Sequence, residues 1–288
     1  MKSVFKHEVS SHFSGLTGYV FTAFLLLFFG IFTMVYNLNN KLADISYPLA
    51  DMSLVYLIAI PVLTMRVIAE ERRTKTDQLL YALPLTMTQV VLGKYLALIA
   101  TLFVPVVIIS MYPVLLSAYG NLSLLTAFNG ILGFFLLGAG LLAIGLFLSS
   151  VTDNQAVAAG ICFAVMLLNY FMTSLASYVT TKPLGSYLAF AVALLIGAGV
   201  FWYMTKNRFV SLVICTITQC GLLCWYMLNE KAVGGAFPKL IGELSMFQRF
   251  YSFLSGICDL TSVVYFVSVI VFFLYLTVQV MEKRRWSE

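Results

Sequence analysis

Eight runs of 18 to 26 residues, nearly free of charge, dominate this chain: 17–36, 49–66, 92–115, 124–149, 156–178, 184–205, 209–228 and 260–281. A helix needs about 20 apolar residues to cross the hydrocarbon core. Inside lipid every backbone polar group must find a partner within the protein, so helices are the expected form. Composition agrees: 61% of the 288 residues are hydrophobic and 10% charged, where a soluble domain carries about 25% charge. The expected fold is therefore an all-α polytopic membrane protein, a bundle of about eight transmembrane helices forming one transmembrane domain over 1–288. The first run is too long for a signal-peptide core of about 7–15 residues and reads as a true span. Only "KNR" separates 184–205 from 209–228, which makes 184–228 a tight hairpin.

Basic residues orient the bundle, because inner loops collect Lys and Arg. With the N-terminus inside, Lys2, Lys6, Arg66, Arg72, Arg73, Lys75, Lys94, Lys206, Arg208, Lys283, Arg284 and Arg285 fall on the cytoplasmic side. Lys41, Lys182, Lys231, Lys239 and Arg249 fall outside. Eight spans return the "EKRRW" end to the cytoplasm, and six would do the same. The expected location is the plasma membrane, multi-pass, with both termini cytoplasmic. The net charge of +5 reflects this anchoring to the inner leaflet. The lipid bilayer is an expected partner and nucleic acid is not.

Two amphipathic stretches flank the spans. In residues 2–16, Phe5, Val9, His12, Phe13 and Leu16 share a helical face, as in a helix lying on the membrane interface. In 237–256, Phe237, Leu240, Leu244, Phe247, Tyr251 and Leu254 recur by threes and fours, with Lys239, Glu243 and Arg249 off the stripe. That stretch either dips into the outer leaflet or is an ordinary interface helix.

The chain has no complete phosphate loop: "VVLGKYL" lacks the upstream glycine and the Ser/Thr after the lysine. It should not hydrolyse ATP. HExxH, CxxC and GxSxG are missing too, and His7 and His12 read as interface residues. Cys162, Cys215, Cys220, Cys224 and Cys258 lie in or beside apolar runs and read as small buried apolar side chains. Mid-span polar residues are uncharged (Asn129, Asn169 and Gln219), which argues against a proton-coupled carrier. Gly133, Gly138, Gly140 and Gly145, and the line Ala156, Gly160, Ala164, would let helices approach closely, within the bundle or in a dimer.

The loop 67–91 is the polar exception. From Ala69 to Lys94, seven charged residues fall in 26 positions: Glu70, Glu71, Arg72, Arg73, Lys75, Asp77 and Lys94. Glu70 to Lys75 should be solvated. Thr76 would cap a short helix, with Asp77 in its first turn. Leu79, Leu80 and Leu83 give that helix an apolar side, and Pro84 stops it. Thr86 and Gln89 fit a capping box for the third span. The leucines could fold back on the bilayer or fill a groove on a cytosolic partner; the residues alone favour neither.

Three segments resemble a known family. "MRVIAEERRTKTDQLLYALPLTMTQVVLGKYLA" is similar to the segment after the second span of type-2 ABC export permeases, with its acidic pair, basic pair, threonine, leucine pair, proline and later Gly-Lys. The tail "LSMFQRFYSFLSGICDLTSVVYFVSVIVFFLYLTVQVMEKRRW" and the opening "FKHEVSSHFSGLTGYVF" resemble the subgroup of gliding-motility and nitrous-oxide-reductase-maturation permeases. The likeness covers about 1–180 and 240–286; the departures are the hairpin at 184–230 and Lys75, where the family commonly has glycine.

The resemblance implies a non-catalytic permease subunit of an ATP-driven exporter. It would pair with a second permease copy or paralogue and with a cytosolic ABC ATPase. No cofactor is expected on this chain; ATP and magnesium would belong to the ATPase. The coupling residues would be Glu70, Glu71, Arg72, Arg73, Thr76, Asp77, Leu79, Leu80, Leu83 and Pro84. Phe237, Leu240, Leu244, Phe247, Arg249 and Phe250 would belong to a re-entrant outer gate. The rival expectations are a membrane scaffold that moves no substrate and a secondary carrier.

Overall fold

The computed structural model describes residues 1–41, 43–76, 86–118, 120, 122–178, 183–205, 208–228 and 233–285. Among them there is no strand. The helices are α1 (Lys2–Ser14), α2 (Leu16–Thr33), α3 (Ser46–Thr64), α4 (Ala69–Arg73), α5 (Met87–Ser117), α6 (Leu124–Val151), α7 (Gln155–Tyr178), α8 (Pro183–Thr205), α9 (Arg208–Leu228), α10 (Ala236–Leu244), α11 (Met246–Leu254) and α12 (Leu260–Arg285). Six segments in the described residues are long and apolar enough to cross a bilayer: Leu16–Asn39, Ser46–Arg73, Met87–Ser117, Leu124–Val151, Gln155–Met172 and Leu260–Arg285. Helices α8 and α9 form where the sixth and seventh runs predict them, with shorter apolar parts, Pro183–Leu195 and Cys215–Leu228. The chain is an all-α polytopic membrane protein.

The described residues form two compact units, one of 1–168 and 249–288, the other of 169–248. In the first unit the spine is Ser46–Arg73 with α6. About 72% of the apolar window of each is buried, against 28% for Leu16–Asn39 and 17% for α12. Helices buried nearly all round take centre positions, and those apolar on an exposed face meet lipid. Tyr56 stacks on Phe134 at 4.3 Å between ring centres, and Leu25, Phe29, Leu137, Leu141 and Phe253 fill the surrounding core.

Close approach depends on glycine. A Cβ at Gly145 of α6 would stand 2.5 Å from the Thr64 hydroxyl of α3, and one at Gly133 would stand 2.6 Å from Phe253. This is the role expected of the α6 glycines. The Ala156, Gly160, Ala164 line differs. All three are exposed, and a Cβ at Gly160 would meet nothing within 4 Å.

The second unit is joined by aromatic pairs. Tyr187 meets Tyr226 at 5.1 Å, and Phe190 meets Trp225 at 6.0 Å and Phe237 at 4.9 Å. Its polar groups serve the backbone. Gln219 donates to the Ala191 carbonyl, and Asn169 accepts from the Met246 N–H at the start of α11. In the first unit Asn129 donates to the Gly256 carbonyl. All three mid-span amides therefore hold the backbone of a neighbouring segment.

The cysteines differ from the expectation. Cys162 is buried, its sulfur 4.0 Å from the Thr64 hydroxyl, but Cys220, Cys224 and Cys258 are exposed. An apolar run that faces lipid carries its cysteines on the protein surface.

Gly145→Val should lower the thermal midpoint in detergent. The added methyls would have to enter the α3–α6 contact, and overpacking of this kind costs about 1–3 kcal/mol. Gly160→Val should leave the midpoint of the isolated chain unchanged.

Candidate coupling site at the charged end of the bundle

The cluster forms because α1, α4 and α5 meet at the end of the bundle that carries Lys2, Lys6 and Arg66. Thr86 opens α5 as expected, its hydroxyl accepting from the Gln89 N–H at 3.4 Å. Lys94 then sits about 11 Å along the helix, with no solvent exposure. One residue earlier is Gly93, where a Cβ would lie 3.0 Å from Val4 of α1. That missing side chain lets α1 lie against α5.

The Lys94 ammonium is held by three oxygens. It donates to Glu8 of α1 at 2.6 Å, to Glu71 of α4 at 2.5 Å and to the Val67 carbonyl at 3.2 Å. Three donors meet three acceptors, so the buried cation is satisfied. Both carboxylates are largely screened from solvent, with side-chain exposures of 13% for Glu8 and 25% for Glu71. His12 lies on the same helix as Glu8. Its burial lowers its pKa below the ordinary 6.5; Glu8 pulls it up and Lys94 pushes it down further. The imidazole Nε2 is buried without a hydrogen-bond partner among the described residues.

Helix α4 is pinned from its other side by the end of α6. The Ser149 hydroxyl accepts from the N–H groups of Ile68 and Ala69 at 3.3 and 3.2 Å, which would otherwise be orphaned at the start of α4. Arg72 donates to the Ser150 carbonyl and lies 3.7 Å from the Asp153 carboxylate. Arg284 of α12 grips the same carboxylate at 2.6 Å and the Val151 carbonyl at 3.1 Å. Five residues of helix are thereby bonded to α5 and α6 and linked, through Lys94 and Asp153, to α1 and α12.

These contacts correct the expectation that Glu70 to Lys75 is solvated throughout. Glu70, Arg73 and Lys75 are exposed, but Arg72 is buried and Glu71 half-buried. Along a helix, successive side chains point to different faces, so an acidic-basic run is divided between water and protein. Thr76 also has a different part. Its N–H and hydroxyl both bond the Glu71 carbonyl, at 2.9 and 3.2 Å, closing the end of α4. Lys75, one residue before, has φ of 57°. This left-handed conformation suits glycine, so Lys75 occupies a strained position.

Asp77, Leu79, Leu80, Leu83 and Pro84 lie outside the described residues. The stripe from Phe237 to Leu254 is divided: Ser245 is extended, ending α10, and its hydroxyl accepts from the Gln248 N–H at 3.3 Å, opening α11. Leu240 and Leu244 are exposed and Phe237 is half-buried, whereas Phe247 and Phe250 are buried. Phe247 packs on Tyr170 at 5.1 Å, and Phe250 lies 6.3 Å from Phe134. Arg249 stacks over Tyr265 at 4.5 Å, a cation–π contact. The serine splits one periodic stripe into two helices with different neighbours.

Sequence reasoning missed Glu8, Ser149 and Asp153. Glu8 carried a signal, as an acid on an otherwise basic interface helix. Ser149 and Asp153 carried none, because only the tertiary contact gives each a partner.

The fold and the site define a multi-pass α-helical membrane protein with a densely paired charged loop at one end. Residues 51–283 match the family described as ABC-2 family transporter protein, and the chain belongs to that family. It is a permease component of an ABC transporter, and such permeases are in general non-catalytic membrane subunits. No curated protein matches the chain.

Lys94→Met should cost up to about 3 kcal/mol, because it takes the shared cation from two carboxylates that are largely screened from solvent. Adding Glu8→Gln and Glu71→Gln should restore most of the loss, read as thermal midpoints of the purified chain. Lys75→Gly should stabilise the chain by up to about 1 kcal/mol, since it relieves the left-handed strain. A lower midpoint would show that the Lys75 side chain contributes more than its backbone costs.

Proposed function

We propose that the chain is the transmembrane half of an ATP-driven exporter, with ATP hydrolysed by a separate cytosolic subunit bound beneath the loop 67–91. Both termini and the charged cluster then face the cytoplasm. The segment Thr76 to Leu83 is the coupling helix, with Leu79, Leu80 and Leu83 seated in a groove of the ATPase and Pro84 ending it. Glu70, Glu71, Arg72 and Arg73 form its root. The observation that carries the reading is that this root is bonded on opposite sides, by Lys94 and by Ser149 and Ser150. A displaced loop then moves α1, α5 and α6 together.

A second permease, copy or paralogue, completes the path. The exposed Ala156, Gly160, Ala164 face of α7 suits close helix contact with it. Phe237, Leu240, Leu244, Phe247, Arg249 and Phe250 close the outer mouth. Resemblance at both ends of the chain favours the gliding-motility and nitrous-oxide-reductase-maturation subgroup.

The test is copurification of the ATPase, repeated with Leu80→Asp, alongside ATP-driven transport in vesicles. The aspartate should abolish both, because an apolar groove cannot solvate a carboxylate. Undiminished assembly and transport would overturn the coupling-helix assignment.

A further inference from the structure

An open apolar groove runs between α2 and α3 at the charged end of the bundle, with a volume of about 300 Å³. Phe21, Ala59 and Leu63, all buried, form its floor. Val20, Ile58 and Val62 are half or more exposed and form its rims. The small side chain of Ala59 gives the groove its depth. Along α2 it extends from Leu16 to Phe24, about 12 Å by helical rise. One leaflet of the hydrocarbon core is about 15 Å deep.

The end of the groove is polar. Arg66 lines it just after the last turn of α3, and Leu16 and Thr17 line it at the first turn of α2. Arg66 is exposed and makes no side-chain hydrogen bond or ion pair among the described residues. In this it differs from Arg72, Lys94 and Arg284 nearby, each committed to a carboxylate. A guanidinium presents a planar fork of donors that matches a phosphate.

We propose that this groove is a binding site for one anionic phospholipid of the leaflet that meets the charged end. An acyl chain lies between α2 and α3, and the headgroup phosphate rests on Arg66. The occupant is fixed by the combination of a leaflet-deep apolar trough and an uncommitted cation at headgroup level. The guanidinium favours an occupant with an anionic group at one end, which a phospholipid supplies. Since α2 follows directly from α1 at Gly15, a bound lipid also braces the joint between the interface helix and the first span.

The experiment is native mass spectrometry of the full chain extracted from vesicles of equal phosphatidylglycerol and phosphatidylcholine. The wild type should retain phosphatidylglycerol about fivefold over phosphatidylcholine, from roughly one cation's attraction at the surface. Arg66→Gln should abolish the preference and still bind either lipid. Val62→Trp, at an exposed rim, should reduce retention of both. Lys6→Gln, on the interface helix and away from the groove, should leave the preference intact.

An unchanged preference in Arg66→Gln would overturn the proposal, as would an equal loss in Lys6→Gln, which would indicate diffuse surface charge. Retention unaffected by Val62→Trp would overturn the acyl groove. Displacement of the lipid by millimolar inorganic phosphate would assign Arg66 to a soluble anion. A disulfide between Val62→Cys residues of two copies in the membrane would assign the groove to a second copy. None of these readings involves the ATPase, so they stand or fall separately from the export proposal.

Discussion

Burying an ammonium group is costly unless each of its protons finds an oxygen. At Lys94 each does, and the three oxygens come from α1, from α4 and from the turn between α3 and α4. The arrangement around it follows from that constraint. Gly93 must be bare for α1 to come near enough to bring Glu8. The chain must turn at 65–68 so that the Val67 carbonyl faces inward and α4 delivers Glu71. A single charge therefore sets the relative placement of three elements that are far apart in sequence.

The same end of the bundle shows how a helix of five residues can be firm. Alone, so short a helix is unstable, because its nucleus costs more than its bonds return. Here Ser149 supplies the missing acceptor at its start, Thr76 closes its end, and the side chains of Glu71 and Arg72 are tied to different helices. A junction of this kind resists displacement, since letting go of either the carboxylate or the guanidinium costs a buried cation one of its partners. The proposed coupling role rests on that resistance.

Much of the bundle was legible in the residues. The apolar runs place the spans, because length and hydropathy are local properties and lipid leaves the backbone no alternative to the helix. The Thr86 cap and the α6 glycines were legible for similar reasons. Side-chain destinations were not. Glu71 and Arg72 look like their exposed neighbours Glu70 and Arg73, and only the presence of Lys94 and Ser150 across the interface separates them. The stripe from Phe237 to Leu254 has unbroken helical periodicity, yet Ser245 ends one helix and starts another. A local cap outweighs a periodic pattern that continues through it. Cys220, Cys224 and Cys258 are exposed because, in a membrane protein, an apolar neighbourhood in sequence does not imply a buried one in space.

The sequence by itself determined that the chain is helical, membrane-spanning and unevenly charged, and that one loop is more elaborate than a connector requires. Those properties rest on composition and short-range periodicity. Only the tertiary structure decided which charges are paired and which glycines are needed. Those depend on contacts between residues 23 to 133 positions apart, such as Lys94 with Glu71 and Arg284 with Val151. The energy of a buried charge is set by what surrounds it in space, which neighbours in sequence do not specify.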